Sequence, residues 1–349
     1  RIHFLIMLFA VLSLLVHVPS DAYANDGGTI TEVDSLEHDA ANGRYNSLVQ
    51  VDSDTYALAY SGEGEDGFIS TFTISADGTT ITEVESLEHD TTYGLYNSLV
   101  QVDSDTYALA YFGSGGDGFI STFDIDSTGD ITPIRVANHA TLGEGSSVNL
   151  EHVDARYNSL VQVDSDTYAL AYTGEDNDGF ISTFTIPSDG SSITEVESLE
   201  HDTVFAYHNS LVQVDSNTYA LAYSSYAGKI STFTISSDGT ITAVKTQSLG
   251  NNLEHDTDGV IENSLVQVDS DTYALAYAEL VYDGAGRDGH ISTFTISVTV
   301  TSSGETKKSG SECNDCTAPS IGISQNHKDP VRVIDDGITF NEESFDVRE

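Results

Sequence analysis

Short stretches of alternating hydrophobic and polar residues recur along the chain, and turn-forming residues bound each of them. In the first stretch Tyr56, Leu58 and Tyr60 fall on one face of an extended strand, and Ala57 and Ala59 fall on the other. Asp-Ser-Asp and Asp-Gly steps separate this stretch from its neighbours, and such residues favour tight turns. The pattern predicts four short strands in one unit, at 47–51, 55–60, 68–75 and 80–87.

This unit occurs five times with little change. The string NSLVQVDSDTYALAY is found at 46–60, 97–111, 158–172 and 263–277, and at 209–223 with Asn217 in place of one Asp. Each copy is preceded by LEH and followed by ISTF. Repeated four-stranded units of about 50 residues are typical of the blades of a β-propeller. We therefore predict an all-β, five-bladed propeller.

The two ends of the repeat array predict how the ring closes. Residues 28–38 match an isolated fourth strand, while the fifth unit stops after its third strand near residue 297. We predict that the N-terminal strand completes the last blade and removes the exposed sheet edges, the alternative being an open solenoid. The propeller spans residues 25–297 in this interpretation, with repeat units near 46–96, 97–157, 158–208, 209–262 and 263–297 plus 28–38.

The flanking segments have other predicted roles. Residues 1–24 join an apolar run to the small-x-small site Ala22-Tyr23-Ala24, which predicts a secretory signal peptide and an extracellular protein at the cell surface. Residues 298–318 are predicted to be a linker, and residues 319–349 the start of a truncated β-rich C-terminal module. Cys313 and Cys316 are the only cysteines, and we expect a local disulfide between them in an exported chain.

Charge narrows the range of partners. The chain has 56 acidic against 12 basic residues, which gives a formal net charge of -44. Such a surface repels nucleic-acid phosphates and anionic lipid head groups, so we expect neither nucleic-acid binding nor membrane insertion of the mature chain. Divalent cations and neutral sugars remain compatible with it.

The repeat also carries a family resemblance. The segments SLEHD, YNSLVQVDSDTYALAY and DGFISTFTI resemble tandem-repeat propeller proteins exported by marine ammonia-oxidising archaea and some marine bacteria, over residues 28–297. A shorter phrase, ISTFTIS-x-DGT-x-IT-x-V, is similar to blades of lactonase-like propellers. The first resemblance implies secretion and a surface role, and it implies no particular activity.

A histidine- and aspartate-rich face is the candidate site. In a propeller, the loops before the first strand and after the second strand of each blade emerge on the same face. This face would carry candidate ligand-binding residues from every unit: His38, Asp39, Asp66, His89, Asp90, Asp117, His152, Asp178, His201, Asp202, His255, Asp256 and Asp288. These side chains suit calcium, a transition metal or a sugar. A structural alternative is that each histidine binds a loop aspartate and fastens its blade.

Two further residue sets are candidates for binding, one on the same face and one in the central channel. Exposed loop aromatics that could stack on sugars are Tyr93, Phe205, Tyr207 and Tyr226. The glutamines of the LVQV strands are predicted either to form a ring of amides in the channel or to bond to neighbouring strands: Gln50, Gln101, Gln162, Gln213 and Gln267. The tyrosines of TYALAY are predicted to lie in the core.

These observations favour binding over catalysis. General acid–base catalysis needs groups in different environments, and five near-copies supply similar ones. The leading hypothesis is a non-catalytic extracellular binding or scaffold protein that recognises surface carbohydrate or a cell-envelope partner through several equivalent sites. The alternatives are a calcium-dependent structural module of a surface protein and a lactonase- or glycosidase-like hydrolase.

Overall fold

A computed structural model describes residues 31–135, 147–150, 155–248, 260–281, 286–296 and 342–345. The described residues form five antiparallel sheets, in which strands that follow one another along the chain are hydrogen-bonded neighbours. The first sheet contains β1 (Arg44–Gln50), β2 (Thr55–Ser61), β3 (Gly67–Ile74) and β4 (Ile81–Asp90). The second contains β5 (Leu95–Gln101), β6 (Thr106–Phe112), β7 (Gly118–Ile125) and β8 (Ile131–Arg135), and β9 (Ser147–Leu150) also pairs with β7.

The remaining three sheets repeat this order. The third contains β10 (Arg156–Gln162), β11 (Thr167–Thr173), β12 (Gly179–Thr185) and β13 (Thr194–Asp202). The fourth contains β14 (Tyr207–Gln213), β15 (Thr218–Ser224), β16 (Gly228–Ile235) and β17 (Ile241–Ser248). The fifth contains β18 (Val260–Gln267), β19 (Thr272–Val281), β20 (Gly286–Thr295) and β21 (Glu342–Phe345). The predicted all-β propeller with five four-stranded blades is confirmed.

Each blade packs on the next through two faces of different size. Ala57, Ala59 and Ile69 of the first blade form one core cluster with Leu99 and Tyr107 of the second, and all five side chains are buried. The alanines are small, so the two sheets approach closely and the bulky leucine and tyrosine fill the space between them. The same pairing of an alanine face with a leucine–tyrosine face recurs at the later seams.

Polar groups lock each seam in one register. The backbone N–H of Leu99 donates to Ser47 Oγ at 2.9 Å, and Asn97 Nδ2 donates to the carbonyl oxygen of Tyr45 at 3.3 Å. The equivalent bonds at the other three inner seams measure 2.9–3.0 Å for leucine to serine. They measure 3.1–3.2 Å for asparagine to carbonyl. Because these bonds are directional, they fix how one blade is placed on the next.

Most tyrosines of the repeat are buried in the blades, and exposed glutamines bond to several of them. Gln101 Nε2 donates to the hydroxyl of Tyr107 at 3.1 Å, and Tyr111 Oη lies 3.4 Å from Ser121 Oγ. Gln162, Gln213 and Gln267 make the same bond to a tyrosine of the adjacent strand, at 3.0–3.1 Å. Of the two predicted glutamine roles, bonding to a neighbouring strand is therefore the observed one at these four positions.

The outer place in the fifth sheet differs from the prediction. β21 pairs with β20 there, with Ser292 opposite Ser344, and residues 31–36 form no strand. Residues 34–38 instead lie against the first blade, where Asp34 Oδ2 accepts a hydrogen bond from the backbone N–H of Ile81 at 3.2 Å. Contacts of Asp34 and His38 with the first blade hold this N-terminal segment in place. Closing the ring with it would also require hydrogen bonds between this segment and β20, where β21 pairs instead.

Over the ranges described above, no helix has the length and apolar character needed to cross a membrane.

The seam bonds predict an asymmetric effect of two equivalent substitutions. Asn97 bonds both Tyr45 and Gly94, whereas Asn46 is exposed and bonds only its own loop at Gly43. We expect Asn97→Ala to lower the free energy of unfolding by about 1–3 kcal/mol, because it removes two bonds at a buried position. Asn46→Ala, the matched control, should change it by less than about 0.5 kcal/mol. Urea unfolding of dilute protein measures both, and equal losses would contradict the assigned role.

Candidate functional site

The two kinds of loop meet on one face in the described blades, and the described histidines there, His38, His89 and His201, are packing residues. Hydrogen bonds from Gly94 N to Glu65 O and from Ala206 N to Asn177 O bring the two kinds of loop together. The ring nitrogens of His89 and His201 are shielded from solvent and have no hydrogen-bond partner. The predicted bond between histidine and a loop aspartate is therefore absent at these two positions.

Each of these imidazoles fills the space above a glycine. A methyl group at Gly67 would lie only 2.5 Å from His89 Cε1, so no larger residue fits there. On its other side the His89 ring meets Tyr111 of the next blade edge-on, at 4.6 Å between centroids. His201 packs in the same way on Gly179 and Tyr223, and His38 packs edge-on against Tyr60.

The aspartates after the histidines bind the loops instead. Asp90 Oδ1 accepts hydrogen bonds from the backbone N–H groups of Thr92 and Tyr93, and its Oδ2 accepts one from Ser114 of the next blade at 3.4 Å. Asp39 is held in the same way, and backbone hydrogen bonds led by that from Asn42 lower its pKa. These carboxylates fasten one loop to another and have few free lone pairs for a ligand.

Asp202 performs this fastening with a different partner. Its Oδ2 lies 2.5 Å from Lys229 Nζ, at the place where the fourth unit lacks the usual Asp-Gly step. The buried carboxylate of Asp202 is thereby paired with Lys229, a residue at which the fourth unit departs from the repeat.

The other predicted site residues are dispersed. Asp66, Asp117 and Asp178 are half-buried and each ends a three-residue 3₁₀ turn, while Asp288 is exposed on β20 opposite Glu279. His152, His255, Asp256, Cys313 and Cys316 lie outside the described residues. In the part of the chain that is described, no group of three or more His, Cys, Asp or Glu side chains is placed to hold a metal ion.

A second site lies at the start of the innermost strands, where the sequence had not indicated one. A register shift opens the first strand of each blade, and one non-glycine residue there adopts a left-handed backbone with φ of 54–58°. These bulge residues are Tyr45, Tyr96, Tyr157, His208 and Glu262. Non-glycine residues in this conformation cost about 1–3 kcal/mol each, and they cluster at functional sites.

The bulge residues meet around the mouth of the central channel. A cavity of about 450 Å³ is lined by the bulge residue and the following asparagine of all five blades: Tyr45, Asn46, Tyr96, Asn97, Tyr157, Asn158, His208, Asn209, Glu262 and Asn263. Consecutive rings touch, with centroid distances of 4.4 Å from Tyr45 to Tyr96, 4.5 Å from Tyr96 to Tyr157 and 4.4 Å from Tyr157 to His208. The mouth therefore presents aromatic rings beside amide groups.

Ionisable groups break the symmetry of this mouth. Burial, together with hydrogen bonds to Tyr45 and Tyr157, raises the pKa of Tyr96, so its hydroxyl stays protonated at neutral pH. The last two blades carry His208 and Glu262 in place of tyrosine. The mouth is thus aromatic and uncharged over three blades and ionisable over the other two.

An aromatic path leads from the mouth to the rim. Tyr157 contacts Tyr207 at 5.5 Å, Tyr207 stacks on Phe205 at 5.7 Å, and Phe205 meets Tyr226 at 5.2 Å. Tyr226 is 69% exposed. Three of the four loop aromatics that are candidates from the sequence, Phe205, Tyr207 and Tyr226, therefore form one continuous surface.

The fourth loop aromatic belongs to a shorter path. Tyr93 contacts Phe112 at 6.0 Å, and Phe112 contacts Tyr96 of the mouth at 6.4 Å. One sequence feature marks the channel mouth: the residue that directly precedes each Asn-Ser-Leu. In chain order these residues are Tyr45, Tyr96, Tyr157, His208 and Glu262.

Comparison with known proteins supports the fold. No protein-family model matches the chain, and no curated protein sequence matches it. Among solved structures, the periplasmic gluconolactonase of Pseudomonas aeruginosa is similar with a TM-score of 0.54 and 15% identity, over 72% of this chain and 68% of that one.

Two further solved structures are putative 6-phosphogluconolactonases. That of Bacteroides fragilis has a TM-score of 0.40 and 13% identity, over 71% of this chain and 79% of that one. That of Bacteroides uniformis has a TM-score of 0.39 and 11% identity, over 70% and 80%. The fold places the chain in the class of β-propellers, with lactonase-like propellers among its structural neighbours.

Because His89 and His201 are shielded from solvent, we predict that the protein loses stability at a pH higher than the range in which carboxylates titrate. Burial lowers the pKa of His89 to about 3 and that of His201 to about 4. In the unfolded chain both titrate near 6.5, so the unfolded state binds protons first. Stability is complete above pH 6.5 and falls as the pH drops toward 4, by about 2 kcal/mol per histidine at pH 5.

Chemical unfolding between pH 7 and pH 5 checks this dependence. His89→Phe keeps an aromatic ring above Gly67 and cannot be protonated, so the variant should lose about half as much stability over this interval as the wild type. The double variant with His201→Phe should be nearly flat. Equal slopes for all three proteins would show that the imidazoles are solvated in the folded state.

Proposed function

We propose that this propeller acts outside the cell as a non-catalytic carbohydrate-binding protein of the cell surface, and that a glycan chain lies along the aromatic path from the channel mouth to Tyr226. The observation that carries the proposal is the continuous contact of Tyr157, Tyr207, Phe205 and Tyr226 on one face. A linear run of rings beside amides matches an extended ligand that has both apolar and hydroxyl-bearing surfaces.

The chemistry of the path favours sugars over other ligands. The C–H face of a pyranose ring packs on aromatic rings, and its hydroxyl groups bond the tyrosine hydroxyls and asparagine amides that line the mouth. Ligand sites of this kind combine apolar walls with a few placed polar groups. Charge restricts the class further, because a chain of net charge -44 repels uronic-acid and sulfated polymers. A neutral polysaccharide fits best.

The path also changes the expected valency. Sequence symmetry favoured several equivalent sites, but only the loops around the fourth blade join three aromatic residues to the mouth, Phe205, Tyr207 and Tyr226. Tyr93, at the position equivalent to Phe205, is joined to the mouth through Phe112 alone. The loop aspartates, which are repeated, bind backbone groups of the loops. We infer one principal site per propeller, and avidity would come from several propellers on one surface.

A glycan-array screen of the full chain followed by calorimetric titration with the best neutral glycan tests this proposal. Tyr226→Ala and Phe205→Ala should each weaken binding about tenfold or more, because each removes a stacking ring. Ser53→Ala, in an exposed turn of the opposite face, is the matched control and should bind as wild type. Unchanged affinity in both aromatic variants would refute the path.

The array should be run with calcium and with chelator. Binding in both conditions is expected, since the aromatic path needs no metal. Binding only with calcium, together with a lower melting temperature in chelator, would favour the alternative of a calcium-dependent structural module built on the carboxylate-rich loops.

One observation supports a hydrolase as the second candidate. His208 and Glu262 occupy consecutive places at the mouth, and general acid–base chemistry requires such non-equivalent ionisable groups. A lactone or glycoside bound by the path would then be cleaved at that end. Glu262→Gln should abolish turnover and leave glycan affinity intact, whereas Tyr226→Ala should mainly raise KM. The absence of any product from the bound glycan would leave binding as the function.

A further inference from the structure

The channel mouth brings three tyrosine rings and a carboxylate around one cavity. Tyr45, Tyr96 and Tyr157 come from the first three blades, and neighbouring rings lie 4.4 and 4.5 Å apart at interplanar angles of 50° and 47°. Rings tilted in this way cover only part of one another's π faces. Glu262 of the fifth blade lines the same cavity of about 450 Å³ and is exposed.

The lining of this cavity favours a positive ligand. Among the described residues that line it, none is a lysine or an arginine, and Glu262 is the single carboxylate. Burial raises the pKa of Tyr96, so its phenol stays neutral at neutral pH. The π face of a neutral aromatic ring is negative, so rings beside a carboxylate attract a cation.

The backbone fixes the rings before a ligand arrives. Each of the three tyrosines lies at a left-handed bulge with φ of 54–56°. Its carbonyl oxygen accepts a hydrogen bond from an asparagine of the next blade, at 3.2–3.3 Å. The hydroxyl of Tyr96 is also hydrogen-bonded to those of Tyr45 and Tyr157. Because the rings are held in place, little conformational entropy is lost when a ligand binds among them.

One ring of this group already contacts a cation of the protein itself. Arg44 Cζ lies 5.8 Å from the centroid of the Tyr45 ring. Its guanidinium is held there by Asn42 Oδ1 and by Glu65 Oε1, the latter at 3.1 Å. Arg44 is not among the residues that line the cavity. A positive group is thus at cation–π distance from a ring that also lines the mouth.

We propose that the channel mouth binds a small organic cation with an apolar ammonium head, of the quaternary or N-methylated amine class. The head lies among the three tyrosine rings, and the carboxylate of Glu262 balances its charge. Methyl groups on the nitrogen pack on the rings, while the positive charge interacts with their π faces. The volume of the cavity lies within the range of small-molecule sites.

The lining fits an organic cation better than a metal ion or an anion. A calcium ion takes six to eight oxygen ligands, and the mouth offers one carboxylate among neutral rings. An anion is repelled by Glu262 and by the net charge of -44, which raises the local concentration of cations instead.

The cation site and the proposed glycan path use different parts of the mouth. The path leaves the mouth at Tyr157 and ends at Tyr226, whereas Tyr45 and Glu262 belong to the first and fifth blades. Binding of a cation therefore does not require a glycan. Tyr226→Ala should leave cation affinity unchanged even though it weakens glycan binding, so the two functions can fail separately.

Calorimetric titration of the full chain with choline tests the proposal. The comparison ligand is dimethylbutanol, the neutral analogue in which a tert-butyl group replaces the trimethylammonium group. Titration in about 0.5 M sodium chloride, where the screening length is below about 5 Å, suppresses the general attraction of an acidic surface for cations. Choline should bind at one site per chain with a dissociation constant of about 1 mM or lower.

The neutral analogue isolates the contribution of the charge. Dimethylbutanol has the same shape as choline, so it should bind at least about tenfold more weakly if the rings and the carboxylate recognise a cation. A smaller difference between the two ligands overturns the proposal. It is also overturned if choline shows no saturable binding.

Matched variants locate the site. Glu262→Gln should weaken choline binding about threefold to tenfold, whereas Asp52→Asn removes the same charge from an exposed turn and should leave it unchanged. Tyr45→Phe keeps the ring and should stay within about twofold of the wild type, and Tyr45→Leu should lose about threefold to tenfold. Melting curves show that each variant is folded. Choline binding that survives both Glu262→Gln and Tyr45→Leu unchanged would place the cation elsewhere and overturn the assignment.

Discussion

The packing of an alanine face against a leucine–tyrosine face is the interaction on which the rest of the molecule depends. Alanine at positions such as Ala57 and Ala59 lets two sheets approach so closely that a backbone N–H of one blade reaches a serine hydroxyl of the other at 2.9–3.0 Å. A larger residue in either place would separate the sheets and break these bonds as well as the core. Apolar packing thus supplies the free energy, and the polar bonds supply the register.

The same seam produces the channel mouth. The position of the asparagine that binds across each inner seam is tightly constrained. Its side-chain amide must reach the carbonyl oxygen of the bulge residue in the preceding blade, at 3.1–3.3 Å. At the four inner seams that residue is held with φ of 54–56°, and its side chain turns toward the axis. Since the backbone is fixed by the asparagine, the side chain is free to vary, and Tyr157 is followed by His208 and Glu262 in the next two blades.

Local patterns predicted the fold well because each strand obeys a local rule. Alternation located the strands, and Asp-Ser-Asp marked turns in which Ser53 N bonds Asp52 Oδ1. The left-handed bulge could not be predicted, since NSLVQ reads as regular strand and nothing in a period-2 pattern indicates a positive φ. At His89 and His201 the alternative of a histidine–aspartate bond was wrong for a related reason. Composition showed His and Asp on one face, but only three-dimensional register shows that Asp90 binds backbone N–H groups while His89 packs over Gly67.

The state of the ring depends on a quantity that no single repeat contains. The rotation between blades is set by side-chain volume and bond length at the seam, and whether the five blades close a ring depends on the sum of these rotations.

The positions that could carry a function are separate from those that hold the blades together. Positions inside the seam are held constant by packing, so loops and bulge residues are where the units differ, and the loops around the fourth blade are one such place. There the Asp-Gly step is lost, Lys229 takes over the bond to Asp202, and Phe205 and Tyr226 come into contact beside it. A repeated scaffold acquires a specific site where the repeat is broken, and this is the physical reason for proposing the aromatic path as the binding site.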